Sequence, residues 1–504
     1  MEAEPLGARA AASALATHTI EIDMVELRRR GGEASTSGRR DADAGIARAA
    51  AALAAGDVVA IPTETVYGLA ANALSASAVG KVYAAKGRPA DNPLIIHISS
   101  LAMLASLYPA GWSLPPVYEA VVKDLWPGPL TILLPRSALV SDAVTCGLPT
   151  MAVRMPAHPV ALALIAACGF PLAAPSANSS GRPSPTLARH VLADLGGRIP
   201  LILDGGPCTC GVESTVLDAL RSPPAILRPG GVTSEQLLPY PGLEGLQVYR
   251  RDFVDEALEA APSTPGMKYR HYSPVAPVWL LDPGAAPAAG SGGAAGAARG
   301  AGAAGAGADA DELLAARLQR GVAALLAELA AADAAVAAEL SGAAAASAGR
   351  GAEAAASGGL APAAAVAAGL APGHASEEQQ QQAGAGRAGG RVGVLRTSME
   401  GLQPGPQAEP AQEPVAARPG AQALGPHAPA HGEAPAHQRA APHLEYVLAH
   451  VSQPAEVASQ LFAGLRYMDE QGVATIVVEG LRDEGVGAAV MNRLRKAASR
   501  VVPV

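Results

Sequence analysis

Apolar residues in the first half of this chain fall into short runs, separated by stretches in which they recur at helical spacing. Thr19–Asp23 (TIEID), Gly56–Pro62 (GDVVAIP), Leu94–Ile98, Leu130–Leu134, Met151–Arg154, Pro171–Ala174, Leu201–Leu203 and Thr215–Leu217 read as strands. Ala42–Ala55 and Ser77–Lys86 read as helices. Strands alternating with helical stretches predict an α/β sheet covered by helices. The style returns at the end of the chain: strands over 275–281 (VAPVWLL), 444–448 (LEYVL) and 474–479 (ATIVVE), with helices over 454–470 and 486–498. That pattern predicts a second, smaller α/β domain.

Between the two, the pattern collapses. From Pro283 to Ala440 there is no Ile, Phe, Tyr, Trp or Cys. Stretches such as GSGGAAGAARGAGAAGAGADA, the EEQQQQ tract from Glu377 and the Pro/Ala/His-rich run from Gln403 to Pro442 cannot bury enough surface to offset the entropy of ordering them. Two islands interrupt them: Asp309–Leu340, with Leu313, Leu314, Leu318, Val322, Leu325 and Leu326 at helical spacing, and the strand-like Arg391–Arg396 (RVGVLR). The expected organisation is a flexible N-terminus over 1–17, an α/β domain over 18–249, a linker over 250–274, and a companion domain over 275–504. Low-complexity inserts at about 284–308, 341–390 and 401–442 are expected to be disordered.

Composition agrees. Gly (56) and Pro (43) are abundant while Phe, Trp and Tyr number 3, 3 and 10, so the 49% apolar content leans on Ala, which buries little surface. A length of 504 therefore overstates the folded protein. The net charge of −8 excludes a bulk-cationic nucleic-acid binder but leaves room for a local basic groove. Cys146, Cys168, Cys208 and Cys210 lack the paired spacing of a structural zinc site and are too few for a disulfide framework, which favours a reducing compartment. No apolar run reaches the ~18 residues that span a bilayer. The first seventeen residues, with two early Glu, make a poor signal or transit peptide. The expected location is the cytoplasm, with an organellar address left open.

Candidate chemistry concentrates just after the predicted strands, where α/β sheets build ligand sites. Pro62-Thr63-Glu64-Thr65-Val66-Tyr67-Gly68, Lys86-Gly87-Arg88-Pro89, Asp91-Asn92-Pro93 and His97 come first. Arg154, Ala174-Pro175-Ser176-Ala177-Asn178, Gly211-Val212-Glu213-Ser214-Thr215 and Arg228-Pro229-Gly230 follow. Separated cations among small hydroxyl residues suit a polyanion. Each piece also has a plainer reading. Lys86 and Arg88 suit the end of a helix dipole, His97 between Ile96 and Ile98 suits a core histidine, and Ser176 and Asn178 suit a turn. Arg154, in an apolar strand, needs an anionic partner. Gly300-Ala-Gly302-Ala-Ala-Gly305 fits GxGxxG, but no strand precedes it and the context is low-complexity. Asn178-Ser179-Ser180 fits a glycosylation sequon without other signs of secretion. No GxxxxGK[ST] occurs, so any nucleotide binds without a P-loop.

These residues resemble the threonylcarbamoyl-AMP synthases, the YrdC-like domain of tRNA modification, in the longer form with a C-terminal companion domain. The resemblance runs in order through PTETVYGLAANA (Pro62–Ala73), KGRPADNPLIIHI (Lys86–Ile98), WPGPLTILL (Trp126–Leu134), AVRMPAHP (Ala152–Pro159) and APSANSSGRPSPT (Ala174–Thr186). It continues through LDGG (Leu203–Gly206), GVESTVLD (Gly211–Asp218), ILRPG (Ile226–Gly230), the linker PGMKYRHYSP (Pro265–Pro274) and GVGAAVMNRLRKA (Gly485–Ala497). It implies a YrdC-like twisted mixed sheet with flanking helices, plus a smaller Rossmann-like companion domain.

The resemblance further implies a nucleotidyltransferase that converts L-threonine, bicarbonate and ATP to threonylcarbamoyl-AMP and pyrophosphate. Magnesium would ride on the triphosphate, held by no protein side chain. A downstream transferase would pass the threonylcarbamoyl group to the adenosine beside the anticodon of tRNAs reading codons that begin with A. Carried over by motif, Thr65, His97, Arg154, Ala174 and Ser214 would line a threonine pocket. Arg88, Asn92, Thr150, Ser176, Ser184 and Arg228 would hold ATP, with Tyr272 closing over it. Lys86, Arg88, Ser176 and Asn178 would form the catalytic Lys-x-Arg and Ser-x-Asn signature. The residue chemistry agrees: an arginine suits the amino-acid carboxylate, and fixed cations suit a displacement governed by positioning and charge neutralisation. Carbamates are labile in water, so the linker around Pro265–Pro274 is expected to act as a lid.

Two other functions are compatible with the same domain. One is a carbamoyl-adenylating step of hydrogenase maturation, although the acylphosphatase-like and cysteine-rich zinc segments that accompany it have no counterpart here. The other is a double-stranded RNA-binding module without catalysis, which has no need of a threonine pocket; tRNA or double-stranded RNA is also an expected partner of the protein.

Overall fold

The computed structural model describes residues 15–29, 42–249, 252–255, 264, 271–284, 310–332, 335, 391–398 and 443–504. The expected flexible start, apart from its last residues, the three low-complexity inserts beyond Gly284 and residues 265–270 of the linker lie outside them.

The described chain runs β1 (His18–Glu21), α1 (Met24–Arg29), α2 (Ala42–Ala54), β2 (Val59–Ile61), β3 (Gly68–Asn72), α3 (Ala76–Lys86), β4 (Ile95–His97) and α4 (Leu101–Ala105). It continues α5 (Pro116–Leu125), β5 (Leu130–Pro135), α6 (Asp142–Thr145), β6 (Thr150–Arg154), α7 (Pro159–Cys168), β7 (Leu172–Ala173), α8 (Ala188–Leu195) and β8 (Leu201–Asp204). Next come β9 (Thr215–Asp218), β10 (Ala225–Arg228), α9 (Ser234–Leu237), β11 (Gln247–Val248) and β12 (Val278–Asp282). A helix over 310–332 (α10), β13 (Val392–Arg396), β14 (His443–Val447), α11 (Pro454–Glu470), β15 (Thr475–Glu479), α12 (Gly485–Ala497) and β16 (Ala498–Pro503) complete it.

Eleven strands form one mixed sheet in the order β1-β8-β2-β3-β7-β4-β6-β5-β9-β10-β11, and five form a second in the order β14-β13-β15-β12-β16. Every described pairing in the second sheet is parallel, the arrangement expected of a Rossmann-like unit. The first sheet mixes parallel pairs such as β4 with β6 and antiparallel ones such as β5 with β6. Its strands read as near-continuous apolar runs because helices cover them. Ile96, Ile132, Val153 and Leu217 belong to one buried cluster with Tyr118 and Val121 of α5, and Val59, Ile61 and Leu203 to another with Leu164 and Ile165 of α7.

Local signals set the element ends. Ser75 caps α3 by accepting a hydrogen bond from the Ala78 amide, and Gly87 closes it at φ 59. The expected 275–281 strand begins instead at Val278, because Val275 and Ala276 donate their amides to Asp469 at the end of α11 rather than to a strand. The expected 486–498 helix stops at Ala497, and Ala498 opens β16 alongside β12. No helix among the described residues is long and apolar enough to cross a membrane.

The two sheets share a buried interface. Arg466 of α11 pairs with Asp194 of α8 at 2.8 Å, and Arg493 of α12 pairs with Glu213 at 2.9 Å. A Cβ on Gly211 would lie 2.4 Å from Ser459 Cα, so the backbones of the two units touch where that glycine stands.

Candidate functional site

Strand register brings the first group of polar side chains together. Arg154, the last residue of β6, stands opposite His97 at the end of β4 on one side and Thr131 of β5 on the other. Both β4 and β6 therefore deliver their final residue to the carboxyl edge of a parallel pair, a usual position for ligand chemistry in such sheets. Thr131 Oγ1 lies 2.7 Å from Ser214 Oγ, placing the start of β9 at the same level. The loop after β2 closes the group: Thr63 Oγ1 accepts from the Thr65 and Val66 amides, turning Thr65 inward.

The arginine is held from several sides. Its Nε donates to Gly128 O at 3.1 Å, its Nη1 to Thr65 Oγ1 at 2.8 Å, and its Nη2 lies 2.6 Å from Glu64 Oε1. Burial, reinforced by the Arg154 charge, pushes His97 down to about 3, so its imidazole is neutral. The ring sits between the backbone carbonyls of Ile95 and Leu172 and forms a polar but uncharged wall.

A second group is cationic. Lys86, at the last turn of α3, aims its Nζ at the carbonyl oxygens of Ser176 and Asn178, the latter at 2.5 Å. Burial first, then the Arg88 charge, holds its pKa well below the ordinary lysine value. Arg88 donates to the carbonyl oxygens of Asn92 and Pro93 at 3.1 and 3.3 Å. Arg228, at the end of β10, donates to Ser214 O at 2.8 Å and Ser214 Oγ at 3.2 Å, so Ser214 touches both groups. Ser176 is fixed by the bridge it forms with Gly68, where a Cβ would already be 3.3 Å from Ala174 Cβ.

One cleft joins the two groups. Its lining includes Thr65, Lys86, Arg88, His97, Arg154, Ala174, Ser176, Asn178, Ser214, Arg228 and Tyr272, all expected from the sequence. Tyr272 holds a left-handed conformation at φ 64, anchored by the Ser273 amide donating to Gly181 O at 2.8 Å. Its ring packs on Phe462 of α11 at 5.4 Å.

Three expected residues do not line the cleft. Asn92 is buried behind Arg88 and meets it through its backbone carbonyl. Ser184 is fully buried and donates its hydroxyl to Glu213 Oε1 at 2.5 Å. Thr150 opens β6 opposite Pro135, at the other end of the strand from Arg154. The cleft also holds residues that the sequence reading did not assign: Thr63, Arg182, His271 and Glu213. Glu64 and Glu213 both lie inside the motif runs, but nothing in their spacing says which arginine each meets. Among the described residues, Glu213 is the one carboxylate in the lining, and Ser184 and Arg493 engage its two oxygens. Those commitments leave it poorly placed to ligate a resident metal ion.

A family model described as Telomere recombination matches residues 51–230, and one described as Threonylcarbamoyl-AMP synthase, C-terminal domain matches 232–357 and 360–499. The threonylcarbamoyl-AMP synthase of Schizosaccharomyces pombe is 54% identical over 244 residues, 44% of this chain and 60% of that protein. The match therefore spans less than two thirds of that relative. The Bacillus subtilis protein of the same name is 52% identical over 245 residues, 48% of this chain and 67% of its own length. The structure of Pyrococcus abyssi Sua5 complexed with L-threonine is similar at a TM-score of 0.58 and 31% identity, covering 97% of this chain and 99% of that one. Two family models matched in order, with a solved relative covered almost end to end, place this chain in the threonylcarbamoyl-AMP synthase family.

Proposed function

We propose that this protein is an L-threonylcarbamoyladenylate synthase, joining L-threonine, bicarbonate and ATP into threonylcarbamoyl-AMP with release of pyrophosphate. The observation that carries the reading is a single cleft lined both by a buried, pre-oriented Arg154 and by Lys86, Arg88 and Arg228. The amino-acid site and the polyphosphate site are thus continuous. The P. abyssi relative, solved with L-threonine, supports the same assignment.

In this reading the threonine carboxylate meets the N–H groups of Arg154 left beside its contacts with Gly128, Thr65 and Glu64. Neutral His97 and the hydroxyls of Thr65 and Ser214 surround the amine and side-chain hydroxyl without adding a charge that would compete with the carboxylate. The amine must lose a proton before it attacks. Zwitterionic threonine and bicarbonate then give the N-carboxylate, one water and one proton. A carbamate oxygen attacks the α-phosphorus of ATP, and the bond to the bridging oxygen breaks as pyrophosphate leaves. Arg88 and Arg228, with the dipoles of the loop that Lys86 ties down at Ser176 and Asn178, offset the developing charge. Magnesium arrives on the triphosphate as part of the substrate and shields its charge. Tyr272, with residues 271–274, covers the cleft and keeps water from the labile carbamate. The adenylate then passes to a transferase that modifies tRNA, and we place the enzyme in the cytoplasm.

The test is pyrophosphate release by the purified full chain with each substrate omitted in turn. Release should require threonine, bicarbonate and ATP together, and turnover indifferent to threonine would refute the reading.

A further inference from the structure

One carboxylate in the cleft wall is neutralised from the other half of the molecule. Glu213, in the loop before β9, faces the cavity near the cationic group. Its Oε1 accepts the Ser184 hydroxyl at 2.5 Å, and its Oε2 accepts Arg493 Nε at 2.9 Å. Arg493 belongs to α12 of the second unit, 280 residues away in sequence, and is fully buried. Its Nη1 donates to Pro229 O and, at 3.3 Å, to Ala489 O. Its guanidinium lies 5.8 Å from the centre of the Tyr272 ring. Arg493 therefore ties together the two backbone segments, 213–215 and 228–230, that carry Ser214 and Arg228. Those segments are already pressed into contact, since a Cβ on Gly230 would lie 2.3 Å from Glu213 O.

The charge arithmetic gives this contact a consequence. Burial opposes ionisation of Glu213, yet Arg493, then Arg228 and the Ser184 hydroxyl, outweigh it and hold the carboxyl below its ordinary range. Without Arg493 the wall that receives a triphosphate would present a buried anion, and Arg228 would be drawn toward it instead of the nucleotide.

We propose that Arg493 is a positioning residue for ATP: by pairing with Glu213 it cancels a negative charge in the nucleotide wall and keeps Arg228 directed at the triphosphate. The second unit thus completes the nucleotide site from behind. Ser184 enters the same arrangement by orienting Glu213, which accounts for a motif serine that does not line the cleft. The inference rests on the synthase reading above.

Its test uses the full chain and three variants: Arg493→Met, Arg493→Lys, and the double variant Glu213→Gln with Arg493→Met. Steady-state kinetics read KM for ATP and for threonine separately, and calorimetric titration with ATP alone reads binding without turnover. Removing one partner of a buried pair leaves the other uncompensated, so Arg493→Met should raise KM for ATP at least about tenfold while changing KM for threonine less than about twofold. Removing both charges, or keeping the positive one as lysine, should hold KM for ATP within about threefold of the wild type. Equal rises for both substrates, or a double variant no better than Arg493→Met, would overturn the proposal. If Arg493→Met does not fold, the lysine and double variants decide it, and a tenfold loss of ATP affinity in both would sink it. If the wild type shows no threonine-dependent turnover, the synthase reading fails, while the ATP titrations still decide the role of Arg493.

Discussion

Arg154 Nη2 lies 2.6 Å from Glu64 Oε1, in the loop that follows β2. With Thr65 Oγ1 and Gly128 O on its other nitrogens, the guanidinium is oriented before any amino acid arrives. A carboxylate entering the cleft then meets donors already aimed, and the ordering entropy has been met during folding rather than binding. This anchoring is a planar, multi-pronged task. Arg154→Lys should therefore raise KM for threonine at least about tenfold and leave KM for ATP nearly unchanged. Michaelis curves for each substrate check this, and parallel losses in both would assign Arg154 to the fold alone.

Arg88 makes its described hydrogen bonds to backbone carbonyls of its own loop, at Asn92 and Pro93, and its other face lines the cleft. Arg88→Ala should lower kcat at least about tenfold by removing a donor aimed at developing charge. The melting temperature should fall little, and calorimetry beside the turnover assay separates the two effects.

The Arg466–Asp194 pair is a sharper test of how the units are joined. Both side chains are buried, and Arg466 also donates to Pro183 O. Arg466→Met leaves Asp194 without its cation inside the interface, which should cost about 3–5 kcal/mol of unfolding free energy. Replacing both, with Asp194→Asn added, should recover part of that loss, and a denaturant series on the single and double variants reads the coupling.

Gly211 carries φ +74 and sits where a Cβ would be 2.4 Å from Ser459 Cα. Gly211→Ala combines a backbone conformation costly for alanine with a backbone-to-backbone clash, so it should destabilise the chain by more than about 2 kcal/mol. A melting temperature equal to that of the wild type would contradict the packing described here.

Stability should also depend on pH through three buried histidines. Burial pushes His97 and His190 to about 3 and His158 to about 4, each below an ordinary value of 6.5. Between those values the unfolded chain binds protons that the folded chain does not. The stabilisation is thus complete above about pH 6.5 and is lost as pH falls toward about 4 for His158 and about 3 for His97 and His190, by up to about 1.4 kcal/mol per unit for each histidine. Urea melts at pH 7 and pH 5 should show lower stability at pH 5, and His97→Gln should shrink the difference.

Much of this was legible in the sequence because β-branched strands and the polar loops that follow them are local signals. Gly56–Pro62, Lys86–Arg88 and Ala174–Asn178 announced the cleft before its geometry was known. α7 (PVALALIAAC) carries no polar face, being buried on the sheet against α2, so helical periodicity had nothing to register. β3 (GLAAN) carries no β-branched or aromatic residue, so its strand role comes from pairing with β2 and β7 rather than from propensity. Within the site, the strand-borne Arg154 and His97 were readable, since a buried arginine asks for an anion. The partners of Glu64 and Glu213 were not: one lies on β6, which does not pair with the strand before Glu64, and the other on a helix 280 residues away. Thr150, expected beside the nucleotide, shares β6 with Arg154 but lies at its far end.

The most direct measurement of the central claim is mass spectrometry of the reaction product after incubating the full chain with ATP, L-threonine and ¹³C-labelled bicarbonate. The account predicts threonylcarbamoyl-AMP carrying the label in its carbamoyl carbon, in an amount matching the pyrophosphate released. Pyrophosphate released without that adduct, or an adduct formed equally with other amino acids, would contradict it.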